Sequence, residues 1–400
     1  MKKTWLLGFG FFSISITWGL YNAFVPFFLE KYISSLALVG FMMTIDNYFA
    51  MFMQPWIGRR SDSTNNRFGK RMPYLLLGMP LAAIFGALIP WHTGLFTLIA
   101  FMVLMNLSMS LYRSPTVALM PDITPDGKRS QANGVINFMG GVGSILAFAG
   151  GSMLYDKHQS LPFAASSILT VVCMFILFYF IKEKRDTIHY VPAEKKERIS
   201  FKGEWNRPTV FLLGAIFFWF VAYQGVEALI TLYGKNHLGL TEGQSSFSLA
   251  FFSLAFVAAA IPSGLLGRHF GKKLIITLGI IGLMIIYGSI NLVDSMEALR
   301  TLLVFGGIFW AMININSYPF IVSLGKESSI GTRTGIYYLV SSLAAVSSPP
   351  LMGAMVDFMG YTSLFYIATG SMALALICIL GVNDKGISSQ SDPSERAASA

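Results

Sequence analysis

Asp46 and Glu227 stand apart from the other acidic residues of this 400-residue chain. Of 20 Asp and Glu, nearly all fall in polar stretches or at the ends of apolar ones. These two lie inside long apolar runs, Asp46 in "IDNYFAMFMQPWIG" and Glu227 in "YQGVEALITLY". A carboxylate inside hydrocarbon is costly, and acids kept there mark ion or substrate pathways. A carboxyl held in a dry cavity takes up a proton near physiological pH. A cavity that opens alternately to either side would move that proton, so both residues are candidate coupling acids. The alternative is a structural acid tied by hydrogen bonds to a neighbouring helix. Arg113 adds a cation two residues before the helix-bending Pro115. Either Arg113 pairs with Asp46, which protonation would then release, or it snorkels toward the nearer interface.

Uncharged polar groups accompany these charges. Tyr21–Asn22 and Tyr223–Gln224 occupy matching places early and late in the chain. Asn47, Asn106, Asn137, Asn314 and Asn316 lie deep in apolar segments. Amides both donate and accept, which suits sugar hydroxyls, and Trp18, Trp219 and Trp310 offer flat faces for a pyranose. The competing reading is helix–helix glue, because Asn between membrane helices commonly bonds a neighbour. The set as a whole points to a polar cavity.

The elements that position these residues are membrane helices. The chain is 54% hydrophobic and 12% charged, about half the usual charged share. A spanning helix needs about 20 apolar residues. Twelve segments qualify: approximately 5–29, 37–58, 73–90, 95–120, 131–155, 161–182, 207–233, 245–266, 273–292, 299–324, 332–356 and 361–382. Asp46 then sits about 18 Å from the cytoplasmic end of the second helix, near mid-membrane. Lys and Arg set the orientation. With the N-terminus in the cytoplasm, most of the 29 cations fall inside. Lys31, Lys157, Lys235 and Arg300 fall outside, and Arg113 lies within a span. The net charge of +9 is therefore a topological signal and no pointer to nucleic acid.

The halves echo each other. "RFGKR" follows the second helix and "HFGKK" the eighth; the fifth ends "GSMLYD" and the eleventh "GAMVD". An internal duplication of six helices follows. The expected units are an N-terminal bundle (1–183), a polar cytoplasmic linker (184–206), a C-terminal bundle (207–382) and a disordered Ser- and Ala-rich tail (383–400). Cys173 and Cys378 both fall in apolar segments and read as packing residues. No zinc spacing, P-loop or nucleophile elbow occurs in the sequence. No cofactor, metal or enzymatic activity is expected.

Twelve spans, a charged middle and a basic turn after helices two and eight resemble the major facilitator superfamily. The first basic turn is similar to that family's signature: Gly58, then Asp62, then Arg67, Gly69, Lys70 and Arg71, with "STNN" inserted after the acid. "IDNYFAMFMQPWIG" and "ALMPDITPDGKRSQANG" resemble the sucrose-transporter branch of the glycoside–pentoside–hexuronide:cation symporters. The resemblance implies an all-α fold of two pseudo-symmetric six-helix bundles. It also implies a cytoplasmic gate drawn from Gly58, Asp62, Arg67, Gly69, Arg71, Asp122, Arg129 and Arg333. In it, Asp62 would bridge to the start of the eleventh helix near Arg333, or else only cap its own loop. Gln54 stands where melibiose-type sodium symporters carry a second acid, which favours a proton. The fifth helix lacks the Gly-Pro of drug–proton antiporters. The expectation is a monomeric, multi-pass protein of a bacterial inner membrane, both termini cytoplasmic, importing a disaccharide or glucoside with protons. A proton-coupled exporter of drugs or small metabolites is the alternative.

Overall fold

The computed structural model describes residues 2–125, 128–183, 207–324 and 330–382. The side chains of residues 129, 130, 330 and 331 also fall outside that description. The expected linker 184–206, the tail 383–400 and the Arg129 side chain therefore lie outside the described residues. Within them, twelve helices are long and apolar enough to cross a membrane. They are α1 (Lys2–Glu30), α2 (Leu36–Ser63), α3 (Met72–Trp91), α4 (Leu95–Ile123), α5 (Gln131–Tyr155) and α6 (Leu161–Phe180). The second set is α7 (Arg207–Asn236), α8 (Glu242–Phe270), α9 (Lys272–Ile290), α10 (Met296–Ser323), α11 (Thr332–Met359) and α12 (Thr362–Leu380).

The packing repeats with a shift of six helices. In the first set α1 packs on α5 and α6, α3 on α4 and α6, and α2 on α4. In the second, α7 packs on α11 and α12, α9 on α10 and α12, and α8 on α10. The two bundles meet along α2 with α11, α5 with α8, and α1 with α7. Small residues permit this approach, since lipid supplies no hydrophobic drive between helices. A Cβ at Gly40 of α2 would strike the Pro349 carbonyl of α11, and one at Gly353 of α11 would strike the Leu36 carbonyl of α2.

Three local features depart from the sequence reading. First, α2 runs on to Ser63, so Asp62 sits in its last turn and not in a loop. Arg59, Arg60 and Ser61 end the apolar run but are compatible with a helix, which continues to Ser63. Second, α2 breaks at Thr44, whose hydroxyl donates to the Phe41 carbonyl at 2.7 Å. Third, α5 contains a π-helical turn over Leu146–Gly150. Such turns are found frequently at functional sites.

The paired basic turns fold alike. Gly69 (φ 111°) and Gly271 (φ 91°) both take left-handed backbone conformations that side chains disfavour. In the first turn, Glu183, just beyond α6, accepts N–H bonds from Lys70 at 2.8 Å and from Arg71 and Met72 at 3.0 Å. It thereby caps the start of α3. In the second, Lys273 donates to the Val382 carbonyl just beyond α12 at 2.5 Å. The same place is thus filled by a carboxylate in one half and a backbone carbonyl in the other. Glu183→Ala leaves the first N–H groups of α3 without this acceptor. It should cost about 1–3 kcal/mol, read as a lower melting temperature in detergent, with Glu183→Gln restoring part of the loss.

Candidate functional site

The charged centre lies on the inner walls of both bundles. The Thr44 break restarts α2 at Ile45, which places Asp46 in a first helical turn. One side of its carboxylate lies against the Asn47 backbone N–H, while its Oδ1 has no hydrogen-bond partner. Arg113 on α4 interacts electrostatically with Asp46 but forms no ion pair with it. Its guanidinium rests instead on the Trp18 ring of α1, 4.1 Å from the centroid. Such stacking holds a desolvated cation at about 2 kcal/mol or more.

Glu227 comes from the other bundle. Tyr223 lies one turn before it on the same face of α7, and the Tyr223 hydroxyl and the Asn22 amide of α1 both approach its carboxylate. Asn22 thus faces the other bundle near Glu227. The Tyr223 ring stacks on Trp310 of α10 with centroids 4.0 Å apart and planes 3° from parallel. Asp46 and Glu227 are close enough to repel each other electrostatically across the seam. The centre thus carries two acids, one arginine and a ring of aromatic and amide groups.

The other expected site residues divide. Asn47 and Gln224 are half-buried. Asn314 is also half-buried, and its carbonyl accepts from Ser317. Tyr21 is buried behind the centre, where Asn106 Nδ2 meets its hydroxyl at 3.3 Å. Trp310 is 3% exposed and its face is already covered by Tyr223. Asn316 donates to the Ser263 and Met312 carbonyls at 3.1 and 2.9 Å and joins α10 to α8. Asn137 is exposed and donates to the Asn133 carbonyl on its own helix. Asn316 and Asn137 therefore spend their amides on backbone.

At the face of the molecule bearing the basic turns, Arg71 is the hub. Its Nη2 pairs with Asp62, its Nε with Asp122 at 3.1 Å, and its Nη1 with the Ser61 hydroxyl and the Gly58 carbonyl. Arg67 lies over Phe68. Asp62 thus caps its own bundle, and the structure does not bring it to Arg333. Arg333 is buried in the other bundle and donates to the Ile321 carbonyl at 3.3 Å.

The opposite face holds a network that the sequence reading missed. Lys235 of α7 bridges Glu30 of α1 and Glu242 of α8, both at 3.0 Å. Tyr155 of α5 donates to Glu242 at 2.6 Å, and Asn236 donates to Glu30. The signal was present as charged residues at span ends, but their partners sit in distant helices.

Two similar bundles of membrane helices around a charged, polar seam define a multi-pass membrane transporter. The chain belongs to the Major Facilitator Superfamily, whose model matches residues 7–299 and 235–399. It is 21% identical over 353 residues to the sugar efflux transporter C of Escherichia coli, covering 87% of each chain. It is 23% identical over 304 residues to the isoprimeverose transporter of Lactiplantibacillus pentosus, covering 70% of this chain and 62% of that one. A bacterial homologue of the human lysosomal transporter Spinster, in an inward-facing, occupied conformation, superposes with a TM-score of 0.71. It covers 95% of this chain and 94% of that one at 13% identity and shares the fold.

Removing the hub tests the basic face. Arg71→Met leaves the buried Asp122 without its cation and should destabilise the protein by about 3–5 kcal/mol, seen as a lower melting temperature. Arg71→Lys should recover only part, because an ammonium does not reproduce the fork of the guanidinium.

Proposed function

We propose that this protein imports a sugar, a disaccharide or glucoside, together with protons, by alternating access between two bundles (1–183 and 207–382). The observation that carries the reading is the acid pair at mid-depth, Asp46 on one bundle and Glu227 on the other. Each is placed to exchange a proton with whichever side the seam opens to, and Arg113 stands by without neutralising Asp46. The substrate class rests on the polar walls. Trp18 Nε1, Gln54 Nε2 and Asp46 Oδ1 are buried without hydrogen-bond partners. Two donors and an acceptor match the mixed demands of a hydroxylated solute. The names of the relatives, a sugar efflux transporter and an isoprimeverose transporter, agree with a saccharide.

Gln54 in place of a second acid leaves α2 with Asp46 as its hard anionic ligand inside the membrane, which favours a proton over sodium. The branch similar to sucrose transporters and a bacterial inner membrane with cytoplasmic termini complete the reading. In that frame Asp62 leaves Arg71 and bridges to α11 when the seam opens the other way. The chain works as a monomer. The relative named for sugar efflux supports a second reading, in which the same coupling drives export.

Proteoliposomes separate these readings. With an inward proton gradient, the parent should accumulate sugar, and export would appear as depletion. Asp46→Asn and Glu227→Gln should abolish accumulation while leaving counterflow exchange. If both single variants and the double variant still accumulate sugar, neither acid couples. Replacing sodium by choline at fixed pH should leave uptake unchanged, and a large loss would assign coupling to sodium.

A further inference from the structure

The repeated segment ends "GSMLYD" and "GAMVD" close α5 and α11 with Asp156 and Asp357. Both acids lie at the face opposite the basic turns. Asp357 reaches across the seam to the first turn of α2. Its Oδ1 accepts the Leu36 N–H at 2.7 Å, and its Oδ2 accepts the Ala37 N–H at 3.0 Å and the Ser35 hydroxyl at 2.7 Å. Ser35 in turn accepts the Leu38 N–H at 3.4 Å. The N–H groups at the start of α2 are therefore satisfied jointly by its own N-cap and by an acid of the other bundle. The backbones can come this close because Gly353 and Gly40 leave no side chain between α2 and α11.

Asp156 occupies the related place at the other seam. Its carboxylate lies against Gly243, the second residue of α8, where any Cβ would overlap it. Shifting the α5–α8 pair by six helices gives the α11–α2 pair. The placement is thus used twice, with hydrogen bonds at Asp357 and close approach alone at Asp156: an acid ending one helix sits against the positive first turn of a helix in the opposite bundle, with glycine clearing the approach.

We propose that Asp156 and Asp357 are paired latches that hold the two bundles together at this face and must both release for it to open. The helix pair α2–α11 then carries acids at both its ends. Asp357 sits at one face, and Asp62, committed to Arg71 here, sits at the other. The inference goes beyond the coupling proposal and does not depend on the solute carried.

Its test reads conformation and not transport, so it can fail while the coupling proposal stands, and the reverse. In a variant with Cys173 and Cys378 replaced by Ala, spin labels are placed at Gln159→Cys and Leu292→Cys. These positions lie in outer loops of different bundles and outside both latches. Asp357→Ala and Asp156→Ala should each raise the ratio of separated to closed distances roughly five- to 150-fold, the usual span of such couplings. The double variant should raise it further, and Asp357→Asn, which keeps an acceptor, less. Raising salt should mimic a weak version in the parent, since Asp357 is exposed. Distances that match the parent in both Ala variants and in the double variant overturn the proposal. So does a lowered melting temperature with an unchanged distribution, which would make the acids simple helix caps. Should Ala variants not fold, Asp357→Asn and Asp156→Asn decide by the same readout.

Discussion

A helix that begins at the edge of a bilayer presents backbone N–H groups with no intrahelical partner and no reliable access to water. This protein meets that demand with carboxylates brought from elsewhere in the chain. Glu183 caps α3 from the end of α6, and Asp357 caps α2 from the end of α11. Asp46 lies on the restarted first turn of α2 itself. Each contact pairs a negative side chain with the positive end of a helix, which contributes about 0.3–2 kcal/mol depending on burial. Contacts of that size hold a state together and still let it go, which suits the proposed release of those that cross the seam. Those within a bundle, such as Glu183 on α3, keep the basic turn in shape while the seam moves.

The centre solves a different problem. A guanidinium in hydrocarbon normally demands an ion pair, and an ion pair would tie up the acid beside it. Here Trp18 offers its ring face to Arg113 instead. The cation is stabilised and Asp46 keeps an oxygen without a partner. Around Glu227, the Tyr223 hydroxyl of its own helix and the Asn22 amide of the facing bundle supply polar groups near the carboxylate. Stacking on Trp310 fixes the Tyr223 ring, so the hydroxyl that serves Glu227 is held by packing deeper in the bundle.

The fold was legible because apolar runs of membrane length, basic turns and a sixfold-shifted echo are properties of local sequence. The acids at mid-depth were legible for the same reason, since a charge in an apolar run is conspicuous. What could not be read was whom each polar group faces. Asn316 and Asn137 look alike in sequence, yet one joins two helices and the other bonds its own. Trp18 and Trp310 looked like sugar platforms, but their faces are occupied by Arg113 and Tyr223. The end of α2 was placed too early because hydropathy marks the edge of the bilayer, whereas the backbone ladder of a helix ignores it. The breaks at Thr44 and Leu146–Gly150 were not announced, since a single Thr and paired glycines also occur in unbroken membrane helices.

The Thr44 break also redraws ownership within α2. The short first piece, Leu36–Met43, packs chiefly on α11, whereas the longer piece, Ile45–Ser63, packs chiefly on α4 of its own bundle. By contact, the first two turns are on loan to the neighbouring bundle. In the proposed alternating access, this helix would flex at its joint or be handed back as the bundles rotate. Because Asp46 is the second residue after the joint, either event swings the carboxylate relative to Arg113. Under the proposed coupling, the moving part and the charge it moves would be one element, with no separate relay needed to tell the acid which way the molecule is open.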